Sequence, residues 1–292
     1  MIFFSSDEDF EKFYKSLLKQ NERISLLVSE SPKRTGRKKI ISENAAHRFA
    51  KSNNLKVISP NNLAEKNVNN EISMALEKDQ DKFGFIFSYG KIIPKSLIDL
   101  FENGILNIHF SLLPEYPGAS PIQQAILDGK GETGYTIFRI SPKLDQGDIL
   151  VQEKIKIKSN DTFDSLRNRI IEEALADLPE KLNKYRQGEL ETQKTSDLLG
   201  KFTKKIKKSD GQITDGDSPK SAFAKIRAFS RWPKAFMIIE NKRIIIHSAK
   251  INNNLLQIEL IQLEGKKPIS FKDFANGHCQ LLTKMPKFVK VD

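Results

Sequence analysis

Asn107 and His109 are the pair whose types and spacing could do chemistry. In an extended strand, residues two apart point to the same face, so an amide and an imidazole would stand side by side. When an amine attacks a carbonyl carbon, negative charge collects on the oxygen. An amide NH2 and a protonated imidazole are suitable donors to that oxyanion. The imidazole also titrates near neutrality, which suits proton transfer. Further along, Asp145 precedes Gly147 in Leu144-Asp145-Gln146-Gly147-Asp148-Ile149-Leu150. A carboxylate on such a turn could reach the imidazole, favour its charged form and fix its orientation, or hold a water that relays protons. Taken singly, Asn-x-His is more often a satisfied structural pair and Asp-x-Gly an ordinary turn.

These residues need elements that bring them to one edge. Ile2-Phe3-Phe4 reads as a short buried strand. Ser6, three residues before Asp9, is a weak capping box, and Phe10, Phe13, Leu17 and Leu18 follow at helical spacing. Residues 24–28 read as a strand, and the polar stretch 29–42, with Pro32 and Gly36, as a long loop. A helix over 43–53 precedes a strand over 56–59, a helix over 70–78 precedes a strand over 83–88, and 105–110 is a further strand. This alternation predicts an α/β domain, a doubly wound, mostly parallel sheet covered by helices. Such folds bind ligands outside the carboxyl ends of their strands, where Tyr89-Gly90, Asn107 and His109 fall. Residues 162–186 carry a long helical pattern through Phe163, Leu166, Ile170, Ala174 and Leu178, with Gly188 as its stop. Beyond it, 189–217 reads as a linker rich in Thr, Lys, Asp and Gly. A short helix follows, with Phe223, Ile226 and Phe229 at spacing three. Strand-like runs at 235–239, 243–249, 255–263, 279–282 and 288–291 then predict a small β-barrel. The expected domains are 1–188, 189–217 and 218–292.

The 292 residues suffice for two domains, and 38% hydrophobic with 29% charged residues describes a soluble globular chain. No apolar run approaches the ~20 residues of a membrane helix, and no signal peptide is expected. The single Cys279 excludes an internal disulfide or a cysteine-based metal cluster; no metal is expected, and a reducing cytoplasm suits the composition. Residues 201–292 hold 19 of the 48 basic and 8 of the 37 acidic side chains, so their net of +11 equals that of the whole chain. A basic segment joined to a neutral one suits a polyanion partner, or a solvated lysine-rich surface. No Gly-x-Gly-x-x-Gly follows a strand, and no phosphate loop ends in Gly-Lys-Ser/Thr. A generic nucleotide binder therefore ranks low.

Four stretches then fall in a telling order: Asn107-x-His109-x-Ser111-Leu112-Leu113-Pro114, Gly118-Ala119-Ser120-Pro121-Ile122-Gln123, Thr133-Gly134-Tyr135-Thr136 and Asp145-x-Gly147-x-Ile149-Leu150. In order and spacing they resemble the folate-dependent formyltransferases. The resemblance implies a catalytic trio of Asn107, His109 and Asp145, and 10-formyl-tetrahydrofolate as co-substrate. Ser88-Tyr89-Gly90-Lys91-Ile92-Ile93-Pro94 resembles that family's Tyr-Gly-x-Ile-x-Pro loop beside the pterin. It implies cofactor contacts at Ser88, Tyr89, Gly90, Ile92 and Pro94, with Ser111, Leu112, Leu113 and Pro114 as the opposite wall. The implied architecture is a Rossmann-like domain followed by an OB-like barrel.

Three features favour a tRNA acceptor. Pro32-Lys33-Arg34-Thr35-Gly36-Arg37-Lys38-Lys39 resembles the basic loop of the subfamily acting on methionyl-tRNA. It implies contacts from Lys33, Arg34, Arg37, Lys38 and Lys39, with Arg37 sensing the weakened first base pair of the initiator. Lys225 to Phe236 contains Arg-Ala-Phe-x-x-Trp-Pro and is similar to the start of that subfamily's C-terminal domain. Trp232 and Phe229 are expected to pack its barrel. The third feature is the localised charge. Lys204, Lys205, Lys207 and Lys208, with Lys201, suit an RNA backbone, and their spacing of three and four would let them share a helix face. The expected reaction is transfer of the formyl group of 10-formyl-tetrahydrofolate to the amino group of methionyl initiator tRNA, by a cytoplasmic monomer with no membrane partner. A formyltransferase acting on a nucleotide-linked amino sugar is the alternative, and a non-catalytic RNA-binding descendant is a rival of another class. Two departures stand out. Ser5-Ser6-Asp7 replaces the usual Gly-Thr-Pro turn, and Glu115, Tyr116, Pro117 and Gly118 replace the usual basic residues around Tyr-Arg-Gly.

Overall fold

Short apolar runs alternate with amphipathic helices from the first residues onward. In the computed structural model, which describes residues 1–35, 40–194 and 200–290, they form β1 (Ile2–Phe4), α1 (Phe10–Lys19), β2 (Leu26–Val28), β3 (Lys33–Thr35), β4 (Ile40–Ser42), α2 (Ala45–Ser52), β5 (Val57–Ile58), α3 (Lys66–Glu77), β6 (Gly84–Ile86), α4 (Lys95–Ile98) and β7 (Ile105–His109). β1 pairs in parallel with β2 and β6, β2 with β5, and β6 with β7. Successive strands go to one side of β1 and then, from β6, to the other. The switch of direction at β1 and β6 opens a crevice at their carboxyl ends. β1, β2 and β6 are buried on both faces, as a parallel sheet covered by helices requires.

The chain continues through α5 (Pro121–Leu127), β8 (Glu132–Ile140), β9 (Gly147–Lys156), α6 (Phe163–Arg186) and β10 (Gln193–Lys194). β8 runs antiparallel to β7 and β10 antiparallel to β9, completing an eight-stranded sheet ordered β10-β9-β8-β7-β6-β1-β2-β5. α1 buries Phe10, Phe13 and Leu17. Phe13 stacks on Phe87 at 4.2 Å between centroids, and Phe3 meets Phe10 edge-on at 5.2 Å. Each fully buried ring stabilises the fold by roughly 1.5–3 kcal/mol. Leu18, at the edge of the same pattern, is exposed.

By contacts the chain falls into two units: Met1–Pro117, Gly134–Glu153 and Ile171–Gly200 form the first, and Gly118–Thr133, Lys154–Ile170 and Lys201–Asp292 the second. In the second unit, α7 (Pro219–Ala228) starts where Ser218 and Ser221 exchange side chain to backbone bonds, with Pro219 in the first turn. It is followed by β11 (Ala235–Ile239), β12 (Lys242–Asn252), β13 (Leu255–Leu263) and β14 (Ile269–Ser270), an antiparallel sheet in that order. Both long hairpins turn through two residues of positive φ, Glu240-Asn241 and Asn253-Asn254, as tight antiparallel turns demand. Ile213, Met237, Ile244, Ile258 and Phe274 are among the buried residues of its core.

Some local expectations change. The stretch 29–42 holds the hairpin β3–β4, with Arg34 opposite Ile41. Lys33, Arg34, Ile40 and Ile41 are exposed, so main-chain pairing makes these strands and no burial pattern marks them. The Ser6 capping box does not form: Asp9 is the N-cap, and its N–H is held by the Asp7 carboxylate at 2.9 Å. α3 begins at Lys66 rather than at 70. The run 279–282 is not a strand but the helix α9 (Cys279–Leu282), after α8 (Phe271–Gly277). Four residues are too few for periodicity to separate the two. Near the last run, Val289 makes only an isolated bridge to Leu256. No helix among the described residues is long and apolar enough to cross a membrane.

Candidate active site

β7 fixes the centre of the site. Asn107 lies opposite Phe138 and His109 opposite Thr136 across the β7–β8 ladder. The two residues therefore share a face, Asn107 half-buried and His109 buried. A carbonyl can only accept, so the 2.9 Å contact between His109 Nε2 and the Tyr116 carbonyl places a proton on Nε2. Nδ1 is left facing the Asp145 carboxylate at 4.0 Å, with both side chains nine-tenths buried or close to it. Asp145 sits at φ +48°, a left-handed conformation that Asp tolerates better than most residues. The turn that holds it is tied by Ser141, whose hydroxyl donates to the Gln146 carbonyl at 2.7 Å. Gly147 closes that turn because a Cβ there would lie 1.9 Å from the Arg139 carbonyl oxygen. Asn107, His109 and Asp145 all belong to the first unit, and a strand pair and one turn bring His109 and Asp145 together.

The segment after His109 is held from within. Ser111 Oγ donates to the Glu115 carbonyl at 2.6 Å, and Glu115 N–H donates to the Leu112 carbonyl at 2.9 Å. Thr136 Oγ1 accepts from Leu113 N–H at 3.0 Å and donates to the Ser111 carbonyl at 2.7 Å. Gln152 Nε2 donates to the Leu113 carbonyl at 2.7 Å. Ser111 and Leu113 are thus committed inward, Leu113 packing with Phe138 and Ile149. Leu112 and Pro114 stay partly accessible. Glu115 and Tyr116, for all their departure in side chain, contribute backbone carbonyls that hold Ser111 and His109.

The loop after β6 stands at the sheet's direction switch. Ser88 Oγ donates to Asp7 Oδ2 at 3.1 Å, and Ser6 Oγ accepts from Glu30 N–H at 2.9 Å. The unusual Ser5-Ser6-Asp7 turn therefore laces the ends of β1, β2 and β6 together. Ser88 and Gly90 are exposed, and Ile92 is 75% exposed. Tyr89 points inward against Phe4 at 5.8 Å, edge to face. Its phenol is pushed above the ordinary range by burial first and by the Glu30 charge second. Gly90 leaves room for Glu30, whose Oε1 would lie 2.9 Å from a Cβ there. Glu30, which lies against Gly90, and Gln152, which holds the Leu113 carbonyl, carry no motif signal, because each meets its loop from far away in sequence.

Of the basic residues, Lys33 is bound to Glu30 at 2.8 Å and Arg34 is exposed, both on β3. Arg37, Lys38 and Lys39 lie outside the described residues. Lys204, Lys205, Lys207 and Lys208 are all exposed, but they share no helix face. The chain from 201 to 207 is non-helical, tied by the Thr203–Gly118 bridge, and a short 3-10 turn (Lys208–Gly211) follows. The backbone follows that bridge rather than the lysine spacing. Phe229 is buried as expected, but Trp232 is 54% exposed and does not pack the core.

The family described as Formyl transferase matches residues 1–182, and Formyl transferase, C-terminal domain, matches residues 205–255. A methionyl-tRNA formyltransferase of Sulfurihydrogenibium sp. is 32% identical over 99% of this chain and 92% of its own. Among solved structures, the methionyl-tRNA formyltransferase from Clostridium thermocellum aligns with a TM-score of 0.61 at 14% identity, over 90% of this chain and 96% of that one. An N-formyltransferase from Helicobacter canadensis, solved with folinic acid and dTDP-3-aminofucose, aligns at 0.65 and 19% identity over 92% and 99%. These likenesses extend across both units. With the matched sequence covering the strand that carries Asn107 and His109 and the turn that carries Asp145, the chain belongs to the formyl transferase family.

Proposed function

We propose that this chain transfers the formyl group of 10-formyl-tetrahydrofolate to the amino group of methionyl initiator tRNA. The observation that carries the chemistry is His109, bonded to the Tyr116 carbonyl through Nε2 and turned to Asp145 through Nδ1, on one strand face with Asn107. The acceptor rests on the relatives: a methionyl-tRNA formyltransferase matches nearly the full length, the basic C-terminal third included.

The crevice fits a flat heteroaromatic donor. Ile92 offers an exposed apolar face, and Ser88 and Gly90 leave accessible backbone for polar ring edges. The donor supplies an activated formyl carbon. The methionyl amine attacks uncharged, a bond forms from its nitrogen to that carbon, and the bond to the folate nitrogen breaks. Asn107 donates to the formyl oxygen as negative charge develops there, and a doubly protonated His109 adds a positive charge beside it. Asp145 is the counter-charge that keeps the imidazolium oriented, and it assists the proton's passage from the amine to the departing nitrogen. Lys33, Arg34, Arg37, Lys38 and Lys39 serve the acceptor end of the tRNA. The linker 189–217, with Lys204, Lys205, Lys207 and Lys208, and a binding domain over 218–292 serve its body. The chain works as a monomer in the cytoplasm.

The test is incubation with 10-formyl-tetrahydrofolate and methionyl-tRNA, initiator and elongator in parallel. Formylation of the initiator alone is expected. Formylation of a nucleotide-linked amino sugar instead, with both tRNAs inert, would overturn the acceptor.

A further inference from the structure

Within the second unit, α5, the segment 201–210 and Phe229 line a cavity of about 270 Å³. Its apolar lining comes from Leu127, Phe202, Ile206 and Phe229. Phe202 is half exposed, while Phe229 is buried. Polar groups stand among them: Ser120 and Gln123, with Lys204 and Lys205 exposed at the rim. Of the lysines at 201, 204, 205, 207 and 208, only Lys201 is held by a carboxylate among the described residues, that of Asp128 at 2.8 Å. The one carboxylate of the lining, Asp210, accepts from the Lys207 N–H at 2.7 Å.

An apolar recess with an exposed ring, an amide and exposed ammonium groups at its rim has the parts list of a base pocket. A nucleobase needs a surface to stack on, and its backbone needs cations. The volume lies just below the ~300–1,000 Å³ of pockets that enclose whole drug-sized ligands, which suits one base rather than a dinucleotide. We propose that this cavity takes a single unpaired nucleotide of the bound RNA. Its base stacks on Phe202, Gln123 faces its polar edge, and its flanking phosphates lie against Lys204 and Lys205. The inference rests on the RNA acceptor proposed above and adds a contact to base rather than to phosphate.

The test is direct binding of an initiator tRNA transcript to the full chain across a salt series, alongside formylation of methionyl-tRNA. Phe202→Ala should weaken binding roughly tenfold and leave the slope of log affinity against log salt unchanged. Phe202→Leu, which keeps apolar bulk but no ring, should be as weak, and Phe202→Trp should bind like the original. Lys205→Ala should lower the magnitude of the slope by about one. KM for 10-formyl-tetrahydrofolate and the circular dichroism spectrum report that the variants are folded. Unchanged binding by Phe202→Ala, or Phe202→Leu binding like the original chain, overturns the pocket. Formylation with binding indifferent to Phe202 sinks the pocket alone. Phe202-dependent binding without formylation sinks the reaction proposed above and keeps the pocket. No tRNA binding by the original chain sinks both.

Discussion

At the scale of single residues, His109 is defined by what surrounds it. A buried imidazole is retained here with one nitrogen satisfied by a carbonyl and the other turned to a carboxylate. Its loss should separate chemistry from folding. His109→Ala is expected to lower kcat by about 10²–10⁴. Stability should fall by only about 1–3 kcal/mol, for one buried bond lost and a carbonyl left unpaired. Turnover under saturating substrates and a denaturant midpoint check both. Turnover within twofold of the original chain would remove His109 from the mechanism. Thr136 and Gln152 belong to the same scale. They touch the chain on both sides of Leu113 and fix the segment that follows the histidine.

At the scale of elements, α2 is fastened to the sheet by His47 and by its cap Asn44, which bonds Ser29 and the Glu30 carbonyl just past β2. His47 Nδ1 meets Ser59 Oγ at 2.6 Å, just past β5, and its Nε2 lies 3.3 Å from Glu43. The helix start is set by Asn44, whose Oδ1 accepts from His47 N–H at 3.0 Å. Burial holds the His47 imidazole below its ordinary 6.5, against the opposing pull of Glu43 and with a small addition from Lys51. The folded chain thus resists a proton that the unfolded chain accepts. This contribution is intact above about pH 6.5 and is lost as pH falls through the folded value. His47→Gln should therefore flatten the decline of the thermal midpoint between pH 7.5 and 5.5. Equal declines in both proteins would show that His47 does not set it. Elsewhere element identity tracked local cues: apolar runs at 235–239, 243–249 and 255–263 marked the long strands of the second unit, whereas the exposed residues of the β3–β4 pair left no such trace.

At the scale of the whole molecule, charge is partitioned. The chain's entire net of +11 lies after residue 200, and Lys204, Lys205, Lys207 and Lys208 are exposed there. If these four and Lys33 and Arg34 each meet one phosphate, tRNA affinity should fall with salt at a log–log slope of roughly −5. KM for 10-formyl-tetrahydrofolate should change far less over the same range. Parallel KM series between 50 and 200 mM salt read both. A tRNA slope near zero would remove phosphate contact as the basis of binding.

The sequence by itself determined the α/β order, the long strand runs of the second unit and the residue types of the site. Period and turn chemistry are local properties, and Asn107-x-His109 needs only a strand to put its two members on one face. Only the tertiary structure decided which atoms meet. Asp145 reaches His109 because β8 lies against β7 and Gly147 lets β9 leave the turn close to Arg139. Trp232 faces solvent and Phe229 does not, although both are large aromatic residues three apart in the chain. The lysines after residue 200 spread along a non-helical segment because Thr203 bridges Gly118, a pairing across some eighty residues that no local spacing encodes. Contacts of that span are set by how elements pack, and packing depends on the shape of every neighbour at once.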